Sequence, residues 1–228
     1  MRPMNAAPGI AAVLFDLDGT LLDTAPDLVF ALNTTLAEAG LPPCAAAAVK
    51  PYISGGARAM LGHALGRPVA TAGEPLLQRM LDLYQTHLAD RTGLFEGMDT
   101  VLAELDARGL PWGIVTNKRR RFTDPLAAAL RLTARTACIV SGDTTAECKP
   151  HPLPLLEASR RLGQAPERCV YIGDAAKDME AGRRAGMTTL VAWYGYIAVD
   201  DDPLGWGADG HIHRPLDLLA WLDGGTQP

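Results

Sequence analysis

No stretch of this sequence is apolar over the length that a membrane-spanning helix requires, so a membrane anchor is not expected. Basic blocks are also missing: 21 lysines and arginines against 26 aspartates and glutamates give a net charge of −5, which argues against nucleic acid as a partner. The segment Met1 to Pro8 has no basic start followed by an apolar stretch, so no export signal is expected there. The four cysteines show no CxxC or metal-site spacing, and a reducing cytoplasm is the expected compartment.

What the sequence does have is the composition of a globular α/β protein, with 48% hydrophobic and 21% charged residues and enough length for a substantial core. Short apolar runs alternate with helical patterns. The predicted strands are 10–15, 111–116, 137–141, 168–173, 188–193 and 208–213. The predicted helices between and after them are 98–108, 120–130, 153–162, 176–185 and 215–222. This alternation predicts an α/β fold with a doubly wound parallel sheet and right-handed crossovers.

Between residues 23 and 92 the pattern changes from strands to helices. Apolar residues recur at helical spacing, as they do at Leu28, Leu32 and Leu36. The predicted helices of this block are 26–39, 57–65 and 76–88. The sequence therefore predicts two domains, a core of residues 1–22 and 93–228 and an inserted helical domain of residues 23–92.

Two carboxylates, Asp16 and Asp18, follow the first predicted strand, where ligands of open α/β sheets bind. Asp16 is suited to attack phosphorus and form an aspartyl-phosphate. Asp18 is suited to protonate the leaving alcohol and then to activate water. A Mg²⁺ ion would offset the repulsion between these acids and a phosphate substrate. The alternative is an Asx-Gly turn capped by its own side chains.

Three further polar groups follow predicted strands or precede predicted helices. Thr116 and Asn117 can donate hydrogen bonds to a phosphate without adding negative charge, although both are also good helix N-caps. Lys149 precedes a proline, and its ammonium could neutralise the nucleophile and the transferring phosphoryl group. Taken singly, Lys149 could equally be a solvated loop lysine.

A fourth motif follows the strand 168–173, with Asp174 and Asp178 four residues apart, so that a helix beginning between them turns both toward one point. Asp174 is suited to bind a metal directly, and Asp178 is suited to orient it or a bound water. The alternative for Asp178 is a simple complement to the helix dipole.

In this order the four motifs resemble the signature motifs of the haloacid dehalogenase superfamily of phosphohydrolases, and the resemblance runs from about residue 10 to about 222. It implies a Rossmann-like core in which Asp16 is the nucleophile and Asp18 the acid and base. It also implies that Mg²⁺ is held by Asp16, the backbone carbonyl of Asp18, and Asp174. Lys149 is expected to act in catalysis.

The resemblance further implies that Thr20 joins Thr116 and Asn117 in binding the phosphate. Ala175 departs from the family pattern, because many relatives have Ser, Thr or Asp there, which puts one outer hydrogen bond in doubt.

Residues 23–92 resemble the small helical cap that many members of the superfamily carry, and a cap must choose the leaving group. Gly56 lets backbone amides approach a ligand, and Arg58 could grip a carboxylate with two hydrogen bonds. The alternative is a flexible turn with a solvent-facing arginine. Arg119 to Arg121 are expected to form a solvated face, although one of them could reach the substrate, and Tyr194 to Tyr196 are expected only to shape the rim.

Within the superfamily the chain most resembles the phosphoglycolate phosphatase group, and it is especially similar to a branch that acts on N-acetylmuramic acid 6-phosphate. Both substrates pair a phosphate with a carboxylate. The resemblance therefore implies a Mg²⁺-dependent phosphomonoester hydrolase that is a monomer or homodimer. A sugar-phosphate mutase remains an alternative because it keeps all four motifs. A dehalogenase would need neither Asp18 nor Mg²⁺, and a non-catalytic module would be expected to have lost an acid or the lysine.

Overall fold

Six parallel strands form the central sheet of the protein, for which a computed structural model describes residues 9–70, 73–198 and 200–224. The strands of this sheet are β1 (Ala12–Phe15), β4 (Trp112–Val115), β5 (Cys138–Val140), β6 (Cys169–Gly173), β7 (Thr188–Ala192) and β8 (Gly210–Ile212). Their order is β5-β4-β1-β6-β7-β8. All residues of β1, β4 and β6 are buried, which explains why these strands are continuous apolar runs.

Helices cover both faces of the sheet and supply the crossovers between strands. They are α5 (Met98–Ala107), α6 (Arg120–Ala129), α7 (Leu153–Leu162), α8 (Ala176–Ala185) and α9 (Asp217–Leu222). Successive residues of β1 point to opposite faces of the sheet and enter different apolar clusters. Leu14 belongs to a cluster with residues of α7 and α8, whereas Phe15 belongs to a cluster with residues of α5 and α9. The predicted α/β fold with a doubly wound parallel sheet is therefore confirmed.

The described part of residues 23–92 forms four α-helices: α1 (Ala25–Glu38), α2 (Ala46–Val49), α3 (Ala57–Leu65) and α4 (Pro75–Thr86). A two-stranded antiparallel sheet of β2 (Leu22–Asp23) and β3 (Gly93–Leu94) joins the start of this segment to its end. The helical segment therefore begins and ends at adjacent points in the structure, and its assignment as a separate domain stays a prediction. The short elements α2, β2 and β3 are absent from the sequence-based prediction, because two to four residues show no periodicity.

The cysteines are all free, and Cys138 and Cys169 are buried. No helix in the described ranges is long and apolar enough to cross a bilayer. The N-terminal segment Met1 to Pro8, where no export signal is expected, lies outside the described residues. Cytoplasmic location and oligomeric state stay predictions.

A buried carboxylate joins the start of the helical segment to its end by hydrogen bonds. Asp27, in the first turn of α1, is 1% exposed, and its carboxylate accepts hydrogen bonds from the backbone amides of Arg91 (3.0 Å) and Thr92 (2.8 Å). The Thr92 hydroxyl donates to the same oxygen at 2.8 Å. Because Arg91 and Thr92 directly precede β3, Asp27 holds the end of the helical segment beside its beginning.

Replacing Asp27 with alanine is expected to lower the free energy of unfolding by about 3 kcal/mol, because the Thr92 amide and hydroxyl lose their buried acceptor. Urea denaturation followed by circular dichroism measures this loss. The matched control is Asp82→Ala on the exposed side of α4, which is expected to change stability by no more than about 0.5 kcal/mol. A loss at Asp27 as small as that of the control would contradict the anchoring role.

Candidate active site

The polar residues of all four motifs lie at one edge of the sheet. Asp16 directly follows β1, Thr116 follows β4, and Asp174 follows β6. These three strands are neighbours and parallel, with β1 in the middle, so that their carboxyl ends lie together. The structure therefore brings together the strand-end residues on which the sequence-based prediction depends.

Lys149 reaches this edge from the loop after β5. Its backbone is held by the Asn117 side chain, whose amide donates to the Lys149 carbonyl at 2.9 Å and whose oxygen accepts from the Lys149 amide at 2.9 Å. The peptide bond between Lys149 and Pro150 is cis. Asn117 therefore positions Lys149 with both ends of its side chain, whereas the sequence alone suggested a phosphate donor.

The Lys149 ammonium is buried and surrounded by oxygen atoms. It lies 2.8 Å from Asp16 Oδ1 and 2.7 Å from Asp178 Oδ1, and it donates to the Val115 carbonyl (3.0 Å) and the Tyr171 hydroxyl (2.6 Å). Burial acts to lower the pKa of Lys149, but the charges of Asp16 and Asp178 outweigh it and raise that pKa. Lys149 is therefore a fixed positive charge, not a solvated loop lysine.

Asp16, Asp174 and Asp178 form a buried acidic cluster in which one carboxylate oxygen from each lies within 4.8 Å of the others. Burial raises the pKa of Asp16 to about 6, against the opposing effect of Lys149. Burial, together with the charges of Asp16 and Asp178, raises the pKa of Asp174 well above its usual range. The Lys149 ammonium, 2.8 Å from Asp16 Oδ1, is the positive charge that faces this carboxylate.

These features fit a divalent cation. Three hard oxygen donors converge, and their combined negative charge exceeds the positive charge of the Lys149 ammonium beside them. The Asp18 carboxylate lies outside this cluster, and the expected contribution of its backbone carbonyl stays a prediction. Asp178 could offer an oxygen itself, in addition to the expected orienting role.

Two glycines pack against Asp174 so closely that a side chain at either glycine position would clash with it. A Cβ atom at Gly19 would lie 2.1 Å from Asp174 Oδ2, and one at Gly195 would lie 2.3 Å from Asp174 Cβ. Gly19 also has a φ of +85°, which favours glycine. The Tyr196 amide donates to Asp174 Oδ2 at 2.8 Å. The segment 194–196, expected only to shape the rim, therefore also fixes a carboxylate of the acidic cluster.

Thr20 is fully buried, and its hydroxyl donates to Asp174 Oδ1 at 3.4 Å. In this structure it supports the acidic cluster, and its role in phosphate binding stays a prediction.

The Asp18 carboxylate has its own partners. Its Oδ1 accepts a hydrogen bond from the Thr24 hydroxyl at 2.6 Å and pairs with the Lys118 ammonium at 2.6 Å. Burial acts to lower the pKa of Lys118, but the charge of Asp18 outweighs it, and the pKa of Lys118 is raised. The Lys118 ammonium also lies 4.9 Å from the centroid of the Tyr84 ring, on helix α4. Lys118 therefore links Asp18 to the inserted segment.

A cavity of about 570 Å³ opens above these residues. Asp16, Asp18, Thr116, Asn117 and Lys149 line it from the sheet edge. The inserted segment contributes the rest of the wall, including Gly56 and Arg58 and the apolar side chains of Leu28, Ile53, Met60, Leu77, Met80 and Leu81. The structure thus places both candidate specificity residues at the same cavity as the candidate nucleophile.

The sequence-based prediction missed several residues of this site. Lys118 and Lys177 both line the cavity, and the Lys177 ammonium donates to the carbonyl of Ser54 in the inserted segment. Arg119 and Arg121, expected to form a solvated face, are exposed but line the cavity mouth. The position of Lys118 directly after Thr116 and Asn117 was the available indication, since residues that follow a strand end share its edge of the sheet.

Comparisons with known proteins agree with this geometry. The family model of haloacid dehalogenase-like hydrolases matches residues 13–192. A phosphoglycolate phosphatase of Xanthomonas campestris pv. campestris (strain 8004) is 45% identical over 213 residues, which cover 92% of this chain and 96% of the relative. An N-acetylmuramic acid 6-phosphate phosphatase of Pseudomonas aeruginosa PAO1 is 43% identical over 215 residues, which cover 94% and 95%. The crystal structure of a predicted phosphoglycolate phosphatase from Haemophilus somnus 129PT has the same fold, with a TM-score of 0.82 at 24% identity over 92% of this chain and 96% of that one.

The acidic cluster predicts a stabilising response to divalent cations. Saturating Mg²⁺ added to chelator-treated protein is expected to raise the Tm by roughly 5 to 10 °C, because a ligand at 100 times its Kd stabilises by about 2.7 kcal/mol. Differential scanning calorimetry measures the shift. Asp174→Asn is expected to abolish it, whereas the exposed Asp99→Asn keeps it. If the Tm of the wild type does not change when Mg²⁺ is added, the cluster does not bind this ion.

Proposed function

The chain belongs to the haloacid dehalogenase-like hydrolases and is a phosphatase, and on that basis we propose that it hydrolyses a small carboxylated phosphomonoester with the help of Mg²⁺. One observation supports this proposal above the others. A buried carboxylate, Asp16, lines a cavity whose other charged residues are mostly cationic, among them Lys149, whose ammonium lies 2.8 Å from Asp16 Oδ1. Such a site attracts an anionic ester and presents it to a nucleophile.

In the proposed reaction a carboxylate oxygen of Asp16 forms a bond to phosphorus while the ester P–O bond breaks. Asp18 gives a proton to the departing oxygen. It then takes a proton from the water that attacks the aspartyl-phosphate, so that Asp16 is released and inorganic phosphate forms. Mg²⁺, held by Asp16, Asp174 and the Asp18 carbonyl, would neutralise charge on the phosphoryl oxygens.

Neighbouring residues position Asp16 and Asp18 and supply positive charge beside them. Lys149, at 2.8 Å from Asp16, holds a positive charge where the phosphoryl group transfers. Lys118 and Thr24 both contact Oδ1 of Asp18, which leaves Oδ2 for proton transfer. Thr116 lines the cavity beside them and can donate to the phosphate.

We further propose that residues 23–92 act as the cap that selects the leaving group, over a core of residues 1–22 and 93–228. Relatives named for phosphoglycolate and for N-acetylmuramic acid 6-phosphate both have substrates with a carboxylate. Arg58 at the cavity wall is suited to bind that carboxylate with two hydrogen bonds. A sugar-phosphate mutase would use the same acids, and its product, an isomeric phosphate ester with no free phosphate, distinguishes it.

The proposal is tested by measuring phosphate release from a panel of esters that includes phosphoglycolate, N-acetylmuramic acid 6-phosphate and p-nitrophenyl phosphate, with and without Mg²⁺. Mg²⁺-dependent release that is fastest with a carboxylated ester is expected. Conversion of a sugar phosphate to its isomer without release would instead identify a mutase.

Asp16→Asn is expected to reduce turnover to less than about a hundredth of the wild type, because an amide is nearly isosteric with a carboxylate but is a poor nucleophile. A phosphate-release assay measures the turnover, and far-UV circular dichroism checks the fold. A folded variant that retains more activity than this would contradict the assignment of Asp16 as the nucleophile.

Arg58→Ala is expected to lower kcat/KM for the carboxylated ester by roughly tenfold to a hundredfold, since hydrogen bonds to charged groups contribute about 1.5 to 3 kcal/mol. The loss with p-nitrophenyl phosphate should be small, and Arg58→Lys should restore activity only in part because an ammonium lacks the planar fork. The control is Arg67→Ala, an exposed arginine paired with Glu74 away from the cavity. Equal losses with both esters would mean that Arg58 acts on the phosphate or on the cap.

A further inference from the structure

Tyr196 connects the acidic cluster to the point where the chain enters the inserted segment, residues 23–92. Its backbone amide donates to Asp174 Oδ2 at 2.8 Å. Its hydroxyl donates to Asp23 Oδ1 at 2.6 Å and accepts from the Ala25 amide at 2.9 Å. Asp23 ends β2 and Ala25 begins α1, so these two hydrogen bonds hold the first residues of the inserted segment. One buried residue therefore contacts both a candidate metal ligand and the start of the segment that covers the cavity.

The Tyr196 ring contacts two further elements. The Phe95 ring, which directly follows β3, lies 6.2 Å from the Tyr196 ring, centroid to centroid. The Lys50 ammonium lies 5.9 Å from the Tyr196 centroid, and Lys50 begins the 3₁₀ helix Lys50–Gly55 that leads to Arg58. A phenylalanine at position 196 would keep these ring contacts. The hydroxyl can therefore be tested separately from the ring.

The hydroxyl also contacts the residue that holds the candidate acid. The Thr24 side chain is a hydrogen-bond partner of the Tyr196 hydroxyl. The Thr24 hydroxyl itself donates to Asp18 Oδ1 at 2.6 Å. Burial raises the pKa of Tyr196, and the neighbouring Asp23 raises it further, so this hydroxyl stays protonated. The place of Thr24 beside Asp18 therefore depends in part on a hydroxyl from the loop after β7.

We propose that Tyr196 is a positioning residue whose hydroxyl holds the inserted segment, and with it Thr24 and Arg58, in place over the acidic cluster. This inference rests on the proposed function, because the alignment matters only if Arg58 binds the leaving group and Asp18 protonates it. Misplacing such a group by about 1 Å can reduce activity by about a hundredfold. A tyrosine with a merely structural role would stabilise the fold without affecting the choice between esters.

The test is Tyr196→Phe, which keeps the ring and the backbone amide. Its kcat/KM for the better carboxylated ester is expected to fall roughly tenfold, since a hydrogen bond to a charged group is lost. The value for p-nitrophenyl phosphate, which has no carboxylate and needs little help from an acid, should change less than about threefold. Hydrogen–deuterium exchange without substrate is expected to be roughly three to ten times faster for the amides of residues 23–32.

Tyr194→Phe is the matched control. Tyr194 lies in the same loop, but its hydroxyl donates to the Thr20 carbonyl at 3.0 Å, outside the inserted segment. Both variants lose a hydrogen bond, so both are expected to have a lower Tm. Tyr194→Phe is expected to keep the wild-type exchange of residues 23–32 and the wild-type ratio of kcat/KM between the two esters. If Tyr196→Phe does not fold, Asp23→Ala removes the other partner of the same hydrogen bond and is expected to give the same pattern.

A double variant tests whether Tyr196 acts through Arg58. With the carboxylated ester, Tyr196→Phe combined with Arg58→Ala is expected to lose clearly less than the product of the two single losses, because both changes affect one contact. Losses that multiply would show that the Tyr196 hydroxyl does not position Arg58, and they would overturn the inference.

Two further results would overturn it while leaving the phosphatase proposal intact. They are a loss in Tyr196→Phe that is equal for both esters, and an exchange of residues 23–32 that is no faster than in Tyr194→Phe. Either would limit the hydroxyl to support of the fold. A wild type that releases phosphate from no ester of the panel would instead overturn the proposed function. The exchange comparison does not depend on activity, so it would still decide whether the hydroxyl holds the inserted segment.

Discussion

The buried ammonium of Lys149 is the interaction on which the site depends. It contacts carboxylates that follow β1 and begin α8, and it donates to a carbonyl at the end of β4 and a hydroxyl on β6. The Lys149 ammonium therefore contacts groups from three neighbouring strands and from the N-terminus of a helix. Breaking a buried ion pair by removing one partner costs about 3 to 5 kcal/mol, because the other charge stays buried and uncompensated. The geometry of the nucleophile is thus tied to the stability of the sheet edge.

The same edge holds more negative charge than Lys149 can balance. Asp174 contributes a third buried carboxylate, and Gly19 and Gly195 pack against it so closely that a side chain at either position would clash with it. A protein that keeps clustered carboxylates buried and fixed loses stability unless a counter-charge is present. The convergence of the three carboxylates at this edge therefore fits a site for a cation.

The residues at the sheet edge could be predicted from the sequence because all strands of a parallel sheet end at the same edge. A residue just after a buried strand must lie at the carboxyl edge, so Asp16, Thr116 and Asp174 could be placed together without a structure. The pairing of Lys118 with Asp18 and the burial of Tyr84 depend on how the inserted helices dock over that edge. The position of these helices over the sheet edge depends on packing between segments far apart in the chain, which cannot be predicted from a local sequence pattern. The sequence therefore suggested Arg58 as a candidate by its charge but could not reveal the pairing of Lys118 with Asp18.

The distribution of charge also explains how an acidic protein can bind an anionic ester. The net charge of −5 would repel a phosphate at long range. The cavity reverses this locally, because its charged residues are two acids, Asp16 and Asp18, against six cations: Arg58, Lys118, Arg119, Arg121, Lys149 and Lys177. Salt screens charges farther away than about 8 to 10 Å, so the cations lining the cavity dominate what the substrate experiences there. Five of these six cations lie in residues 93–228 and only Arg58 lies in the inserted helical segment, so the positive charge of the cavity comes mainly from the part of the chain that forms the central sheet.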